Sequence, residues 1–252
     1  MRAGKLLRMV NISKRFGRVE ALKGVDFDVD YGEIVGLLGD NGAGKSTLIK
    51  ILTGVFPPDT GEIYFEGKKV SFSSPREAQR LGIEAVYQEA TLVNVMNIAR
   101  NFFLGRELVR WGFILDKRRM ARESIEVLSR IGVKISSPRR EVSLLSGGER
   151  QAICIGRALY FQARLVAFDE PTAALSVKET EYVLDYIRSL KKQGISVVVI
   201  THNIYHIYDL ADRFVILDHG NKIGDFPRSA VTPQDIIEVI RTGTASALKN
   251  GE

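Results

Sequence analysis

Three short apolar runs interrupt an otherwise mixed chain: Ile34-Val35-Gly36-Leu37-Leu38, Leu165-Val166-Ala167-Phe168 and Ile195-Ser196-Val197-Val198-Val199-Ile200. Runs of this length without polar alternation predict strands buried on both faces, as in a parallel sheet. Ile83-Glu84-Ala85-Val86-Tyr87 predicts another. The stretch from Leu6 to Val29 and the segments 61–67 and 70–72 alternate more, and the turns at Phe16-Gly17-Arg18 and Pro57-Pro58-Asp59-Thr60-Gly61 separate them. They predict an antiparallel side sheet flanking the parallel core. Helical spacing is expected over 75–82, which has a proline start and a glycine stop, over 97–130 and 149–159, and over 179–193 before Gly194. Segments 213–217 and 222–226 predict a hairpin around His219-Gly220-Asn221. A last short helix is expected over 235–241, with a frayed polar tail after it.

Composition narrows the class. With 252 residues, 45% hydrophobic and 26% charged, the chain is ordinary globular material able to bury a good core. Its net charge of +6 suits nucleotide phosphates, an anionic membrane or nucleic acid and selects none of them. The basic run Asp116-Lys117-Arg118-Arg119-Met120-Ala121-Arg122 is followed by Glu123 and Glu126 and lacks an aromatic ladder, so a solvated helix face is expected there rather than a nucleic-acid surface. A single cysteine, Cys154, excludes an internal disulfide and any multi-cysteine metal site, and its apolar neighbours predict a small buried residue. No apolar run is long enough to cross a bilayer, and residues 1–14 carry no signal-peptide core. The chain is therefore expected in the cytosol, held at a membrane only by something else.

Candidate chemistry begins directly after the first apolar run. Gly39-Asp40-Asn41-Gly42-Ala43-Gly44-Lys45-Ser46-Thr47 fits the phosphate-loop pattern in its required context, a buried strand before it and the helix Leu48-Ile49-Lys50-Ile51-Leu52 after it. Three glycines let successive backbone N–H groups converge, and the helix aims its positive dipole end at the same point. Lys45 is expected on the β- and γ-phosphates of a nucleoside triphosphate and Ser46 on Mg²⁺. Asp169 ends an apolar strand and is expected to hold the Mg²⁺; Glu170, next to it, is placed to orient or deprotonate an attacking water. A second anion-seeking element is Leu145-Ser146-Gly147-Gly148-Glu149, where Ser-Gly-Gly opens a helix. Either each loop serves its own nucleotide, or one nucleotide is reached from two subunits.

Taken together in this order, residues 39–46, Gln88, 145–149, 165–170 and His202 resemble the nucleotide-binding subunit of an ABC transporter over nearly the whole chain. The resemblance implies an α/β P-loop NTPase fold with an antiparallel β part and a helical part. Residues 1–91 and 159–226 would form the core and β part, 92–158 the helical part with the signature loop, and 227–252 a C-terminal tail. It also implies a head-to-tail dimer, with each ATP between the phosphate loop of one subunit and Ser146, Gly147, Gly148 and Glu149 of the other. Phe16 resembles the aromatic that stacks on adenine, Gln88 the glutamine that contacts Mg²⁺ and the attacking water, and His202 the histidine on the γ-phosphate. Departures are Ser176, where many relatives have aspartate, Glu149 for glutamine and Asn203 for aspartate. The stretches 86–89, 101–107, 171–175 and 201–203 resemble ATPases of bacterial importers for ribose, xylose and fructose. ATP and Mg²⁺, permease chains, a second copy and, indirectly, a sugar-binding protein outside the membrane are the implied partners, with the subunit on the cytoplasmic face. An amino-acid or lipid transporter ATPase shares the same machinery, and a cassette acting on nucleic acid would need coiled coils or tandem copies that are not seen here.

Overall fold

The computed structural model describes residues 4–87, 92–133, 135–173 and 175–245. The strands in chain order are β1 (Lys5–Phe16), β2 (Val19–Asp30), β3 (Ile34–Leu38), β4 (Thr60–Phe65), β5 (Lys68–Val70), β6 (Ile83–Val86), β7 (Val109–Arg110), β8 (Ile114–Leu115), β9 (Leu165–Asp169), β10 (Ser196–Ile200), β11 (Arg213–Asp218) and β12 (Asn221–Pro227). The helices are α1 (Lys45–Leu52), α2 (Pro75–Arg80), α3 (Ile98–Phe102), α4 (Lys117–Arg130), α5 (Gly147–Tyr160), α6 (Val177–Lys192), α7 (Ile204–Ile207) and α8 (Pro233–Thr242).

The predicted two-sheet arrangement is present. One sheet runs β12-β11-β3-β10-β9-β6, parallel throughout except for the antiparallel β11–β12 edge; the other is antiparallel in the order β2-β1-β4-β5. The unbroken apolar runs have a simple cause. Along β3, Val35 and Leu37 enter the core between the sheets, while Ile34 and Leu38 enter the core on the opposite face; along β10, Val198 and Ile200 divide from Val197 and Val199 in the same way. With both faces covered, neither set of alternate positions is free to be polar. On that opposite face α8 buries Ile236 and Val239.

Register decides where the chemistry sits. Ile200 of β10 lies opposite both Leu37 of β3 and Asp169 of β9. The three strands thus end together, and the loops that leave them share one sheet edge.

One predicted helix differs. The stretch 97–130 is not continuously helical: α3 spans one and a half turns, and the β7–β8 hairpin precedes α4. Gly105 and Gly112 and the residue Trp111 all have positive φ, which a helix does not accommodate. The short α7, Ile204–Ile207, follows β10. A third core, including Ile98, Phe102, Phe103, Leu128 and Ile153, gathers α3, α4 and α5. Arg157 of α5 joins this region internally by donating to the carbonyls of Asn101 (2.8 Å) and Leu104 (3.1 Å), and Arg106 pairs with the buried Glu84 of β6 at 2.6 Å. Cys154 is buried as expected, and burial pushes its thiol up to about 11.

Candidate active site

The loop from β3 to α1 depends on its glycines. Gly39, Gly42 and Gly44 have φ of 136°, 83° and 105°, and a Cβ at Gly39 would lie 2.0 Å from the Leu217 carbonyl oxygen. That contact comes from the end of β11, and in the turn that follows, the Gly220 N–H donates to the Ala43 carbonyl at 3.1 Å. Lys45 is only 8% exposed, and its Nζ donates to the carbonyls of Gly39 (2.7 Å) and Asp40 (2.8 Å), closing the loop on itself. Burial pushes the Lys45 ammonium below its ordinary pKa, against the opposing fields of Glu170, Asp169 and Asp40. No side chain caps α1 and its first turn has no acidic residue, so its N-terminal N–H groups and dipole are left for an anion.

Asp169 closes β9 half-buried. Burial raises its pKa, opposed by a hydrogen bond from the Ser46 hydroxyl. Ser46 and Asp169 are therefore already adjacent. Glu170 follows with φ of 51°, a left-handed conformation that a non-glycine residue adopts at a cost. Its N–H donates to the Ile200 carbonyl at 2.9 Å, and its Oε1 lies 2.9 Å from His202 Nδ1. These groups and residues 41–47 line an open cleft of about 720 Å³, joined by Val19, Glu20, Ala21, Lys23 and His219.

Several expected residues lie elsewhere. Phe16 is 47% exposed at the end of β1, edge-on to Phe56 at 5.3 Å between centroids, beside the cleft rather than in its lining. Ser146, Gly147, Gly148 and Glu149 start α5 and do not line this cleft. Glu149 is engaged in a capping box, accepting the Ser146 N–H at 2.9 Å, so its side chain serves helix geometry within the chain. Gln88 lies outside the described residues.

The donor set fits magnesium. Among the described residues no group of three or more His, Cys, Asp or Glu is placed to hold a metal ion. Ser46 and Asp169 supply two hard oxygens, which suits an ion that completes its shell with phosphate and water.

The sequence profile described as ABC transporter matches residues 22–173, more than half of the chain. The chain belongs to the ABC transporter family. Its activity is that of an ATP-hydrolysing cassette. It is 45% identical over 247 residues to the xylose/arabinose import ATP-binding protein of Sulfolobus acidocaldarius, covering 98% of each chain. It is 43% identical over 225 residues to the fructose import ATP-binding protein of Rhizobium meliloti, covering 86% of each. Among solved structures it is similar to the dimeric post-hydrolysis state of the ATP-binding cassette MJ0796 bound to ADP and Pi, with 26% identity, TM-score 0.75, and coverage of 88% of this chain and 98% of that one.

This ABC cassette also contains residues that the sequence reading passed over. Glu179 of α6 accepts from the Ser176 hydroxyl (2.8 Å), the Ser176 N–H (3.1 Å) and, across to α5, the Gly148 N–H (3.2 Å). The Ser176 hydroxyl, then the Ser176 and Gly148 N–H groups, hold its carboxyl down at about 2. Gln151 of α5 donates from Nε2 to the Pro171 carbonyl at 3.2 Å. The helix that opens with Ser146 is thereby tied to both sides of the segment after Glu170. Ser176, read as a departure, is the N-cap of α6. Asn203, the other departure, lies with Nδ2 3.0 Å from His206 Nε2, while His206 Nδ1 meets Thr172 Oγ at 3.2 Å. The capping signal Ser176-x-x-Glu179 was available locally; the bond to Gly148 spans 31 residues and was not.

Proposed function

We propose that this cassette powers monosaccharide import, working as one half of a head-to-tail pair docked on a permease at the cytoplasmic face of the membrane. The sugar assignment is supported by the two import relatives, similar over most of their length. Among the described residues no helix is long and apolar enough to cross a membrane, which agrees with a subunit held there by permease chains. The division into a core with its β part (1–91 and 159–226), a helical part (92–158) and a C-terminal segment (227–252) belongs to the same reading. Within the helical part, a cleft of about 630 Å³ lined by Arg100, Lys117, Arg118, Met120 and Arg139 is the candidate seat for a permease helix. A sugar-binding protein would act through the permease.

One observation carries the paired mechanism. The cleft brings together Lys45, Ser46, Asp169, Glu170 and His202, while Ser146-Gly147-Gly148 of the same chain lies outside it. A second copy supplies that missing wall. ATP would lie along residues 39–47, with Lys45 on the β- and γ-phosphates and Phe16 near the adenine. Magnesium, held by Ser46 and Asp169 with Gln88, would neutralise charge on the phosphates. Glu170 orients the attacking water and takes its proton, and His202, 2.9 Å from Glu170 Oε1, fixes that carboxylate and faces the γ-phosphate. Ser146 and the N–H groups of Gly147 and Gly148 from the second copy complete the γ-phosphate cage, with Glu149 capping their helix. Closure then follows the γ-phosphate, and hydrolysis to ADP and phosphate releases it.

The test is Glu170→Gln. Turnover is expected to fall roughly a hundredfold or more, while ATP converts the protein to a closed dimer on size exclusion. Near-normal hydrolysis removes Glu170 from its role, and full turnover by a strictly monomeric species removes the pairing. For the cargo, ATPase activity with the permease and binding protein should rise with a monosaccharide; stimulation by an amino acid alone refutes the sugar assignment.

A further inference from the structure

The segment Val109-Arg110-Trp111-Gly112-Phe113-Ile114-Leu115 contains five of the large hydrophobic side chains exposed among the described residues. Trp111 is 77% exposed and Phe113 78%; Val109, Ile114 and Leu115 are exposed as well. Scattered surface hydrophobics need no explanation, but a contiguous set does. We propose that the β7–β8 hairpin is a membrane probe, inserting Trp111 and Phe113 into the interface of an anionic lipid bilayer.

The hairpin is built to present these rings. Phe113 N–H donates to the Arg110 carbonyl at 3.3 Å, closing a turn whose central residues, Trp111 and Gly112, have φ of 52° and 83°. Positive φ at both central positions matches the twist of a tight hairpin, yet a bulky residue rarely occupies the first. Each strand has two residues and, among the described residues, pairs only with the other, so no further strand extends the ribbon at either edge. Such a ribbon has little core of its own to bury an indole. Among the described residues the sole ring contact of Trp111 is with the Arg110 guanidinium, 5.4 Å from its centroid.

Charge selects the occupant. Residues 106–122 contain six cations, Arg106, Arg110, Lys117, Arg118, Arg119 and Arg122, against the acids Glu107 and Asp116. Arg106 and Arg119 are engaged by Glu84 and Glu123 at 2.6 Å, and Arg110 and Arg122 lie 3.8 and 3.7 Å from Asp116 and Glu123. Lys117 and Arg118, exposed at the base of the hairpin, have no carboxylate within 4 Å among the described residues. An apolar tip carrying an indole, above cations without counter-ions, matches a bilayer interface: rings at the level of the headgroups, cations on anionic phosphates. The tip is convex. Lipid can deform around a protruding tip, whereas a protein partner would need a complementary socket. Lys117 and Arg118 also line the cleft assigned to a permease helix.

Trp111 is the only tryptophan in the chain, so its emission reports on this hairpin alone. The full-length protein is titrated, without permease, with vesicles of phosphatidylcholine or of phosphatidylcholine with phosphatidylglycerol. With the anionic vesicles the emission should move to shorter wavelength and be quenched by brominated acyl chains, and it should stay unchanged with phosphatidylcholine alone. Lys117→Gln with Arg118→Gln should weaken the partition roughly thirtyfold. Trp111→Ser with Phe113→Ser should abolish cosedimentation with vesicles while leaving ATP binding intact, which shows that the variant is folded. Unchanged emission with anionic vesicles overturns the proposal. So does a shift seen only when a permease is added, which would assign the hairpin to protein. Either result leaves the ATPase and import readings untouched.

Discussion

Lys45 combines two demands that usually conflict. It is buried, which disfavours its charge, and it is placed to meet phosphate, which requires that charge. The carbonyls of Gly39 and Asp40 resolve this by accepting from the ammonium inside the loop. A hydrogen bond to a charged group is worth about 1.5 to 3 kcal/mol, so Lys45→Ala should weaken ATP binding roughly tenfold to hundredfold in an equilibrium titration. Gly39 makes a different contribution. Its φ and the 2.0 Å approach of the Leu217 carbonyl leave no room for a methyl group, so Gly39→Ala should cost roughly 1 to 3 kcal/mol in urea unfolding and distort the loop with it. The loop itself was legible from nine consecutive residues, because strand, glycines and helix are local in sequence. The strained backbone of Glu170 was not legible, since its N–H bond to Ile200 depends on two strands lying side by side.

At the level of elements, α5 and α6 behave as a coupled pair. Glu179 caps α6 and holds Gly148 at the start of α5, while Gln151 reaches Pro171. A displacement of the segment after Glu170 is thus transmitted to the loop offered to a second copy. The sign of the pH effect follows from the lowered carboxyl. Because the Glu179 pKa is about 2 in the fold and higher when unfolded, its contribution is present above the ordinary glutamate range and is lost as pH falls through that range toward about 2. Glu179→Gln should therefore lower stability at neutral pH in urea unfolding, and the gap between variant and parent should narrow on acidification. A constant gap from neutral pH to below 3 would show that the carboxylate carries none of it. Local pattern missed the β7–β8 hairpin for an opposite reason: its five exposed hydrophobic side chains mimic a buried face, and Trp111 and Gly112 reverse the chain before any helix can form.

Across the whole molecule, the two halves of the proposed nucleotide cage belong to one chain but to separate places in it. Complementation follows from that geometry. A Lys45→Ala copy retains its Ser146 loop, and a Gly148→Asp copy retains its phosphate loop, so a mixed pair contains one intact cage and one doubly damaged one. Each variant alone should fail to trap nucleotide in a closed dimer, and the mixture should trap about one nucleotide per pair. Failure of the mixture, with both variants folded, would argue against shared cages. The sequence alone determined the chemistry at each short segment, because a strand that ends in glycines, a cap or a run of buried β-branched residues is specified within about ten positions. Tertiary structure decided which segments meet: the common register of β3, β9 and β10 brings Lys45, Asp169 and His202 to one edge, the end of β11 presses on Gly39, and Glu179 reaches Gly148. Those contacts join residues up to 178 positions apart, as Gly39 and Leu217 are, and only packing of the finished sheets sets their distance.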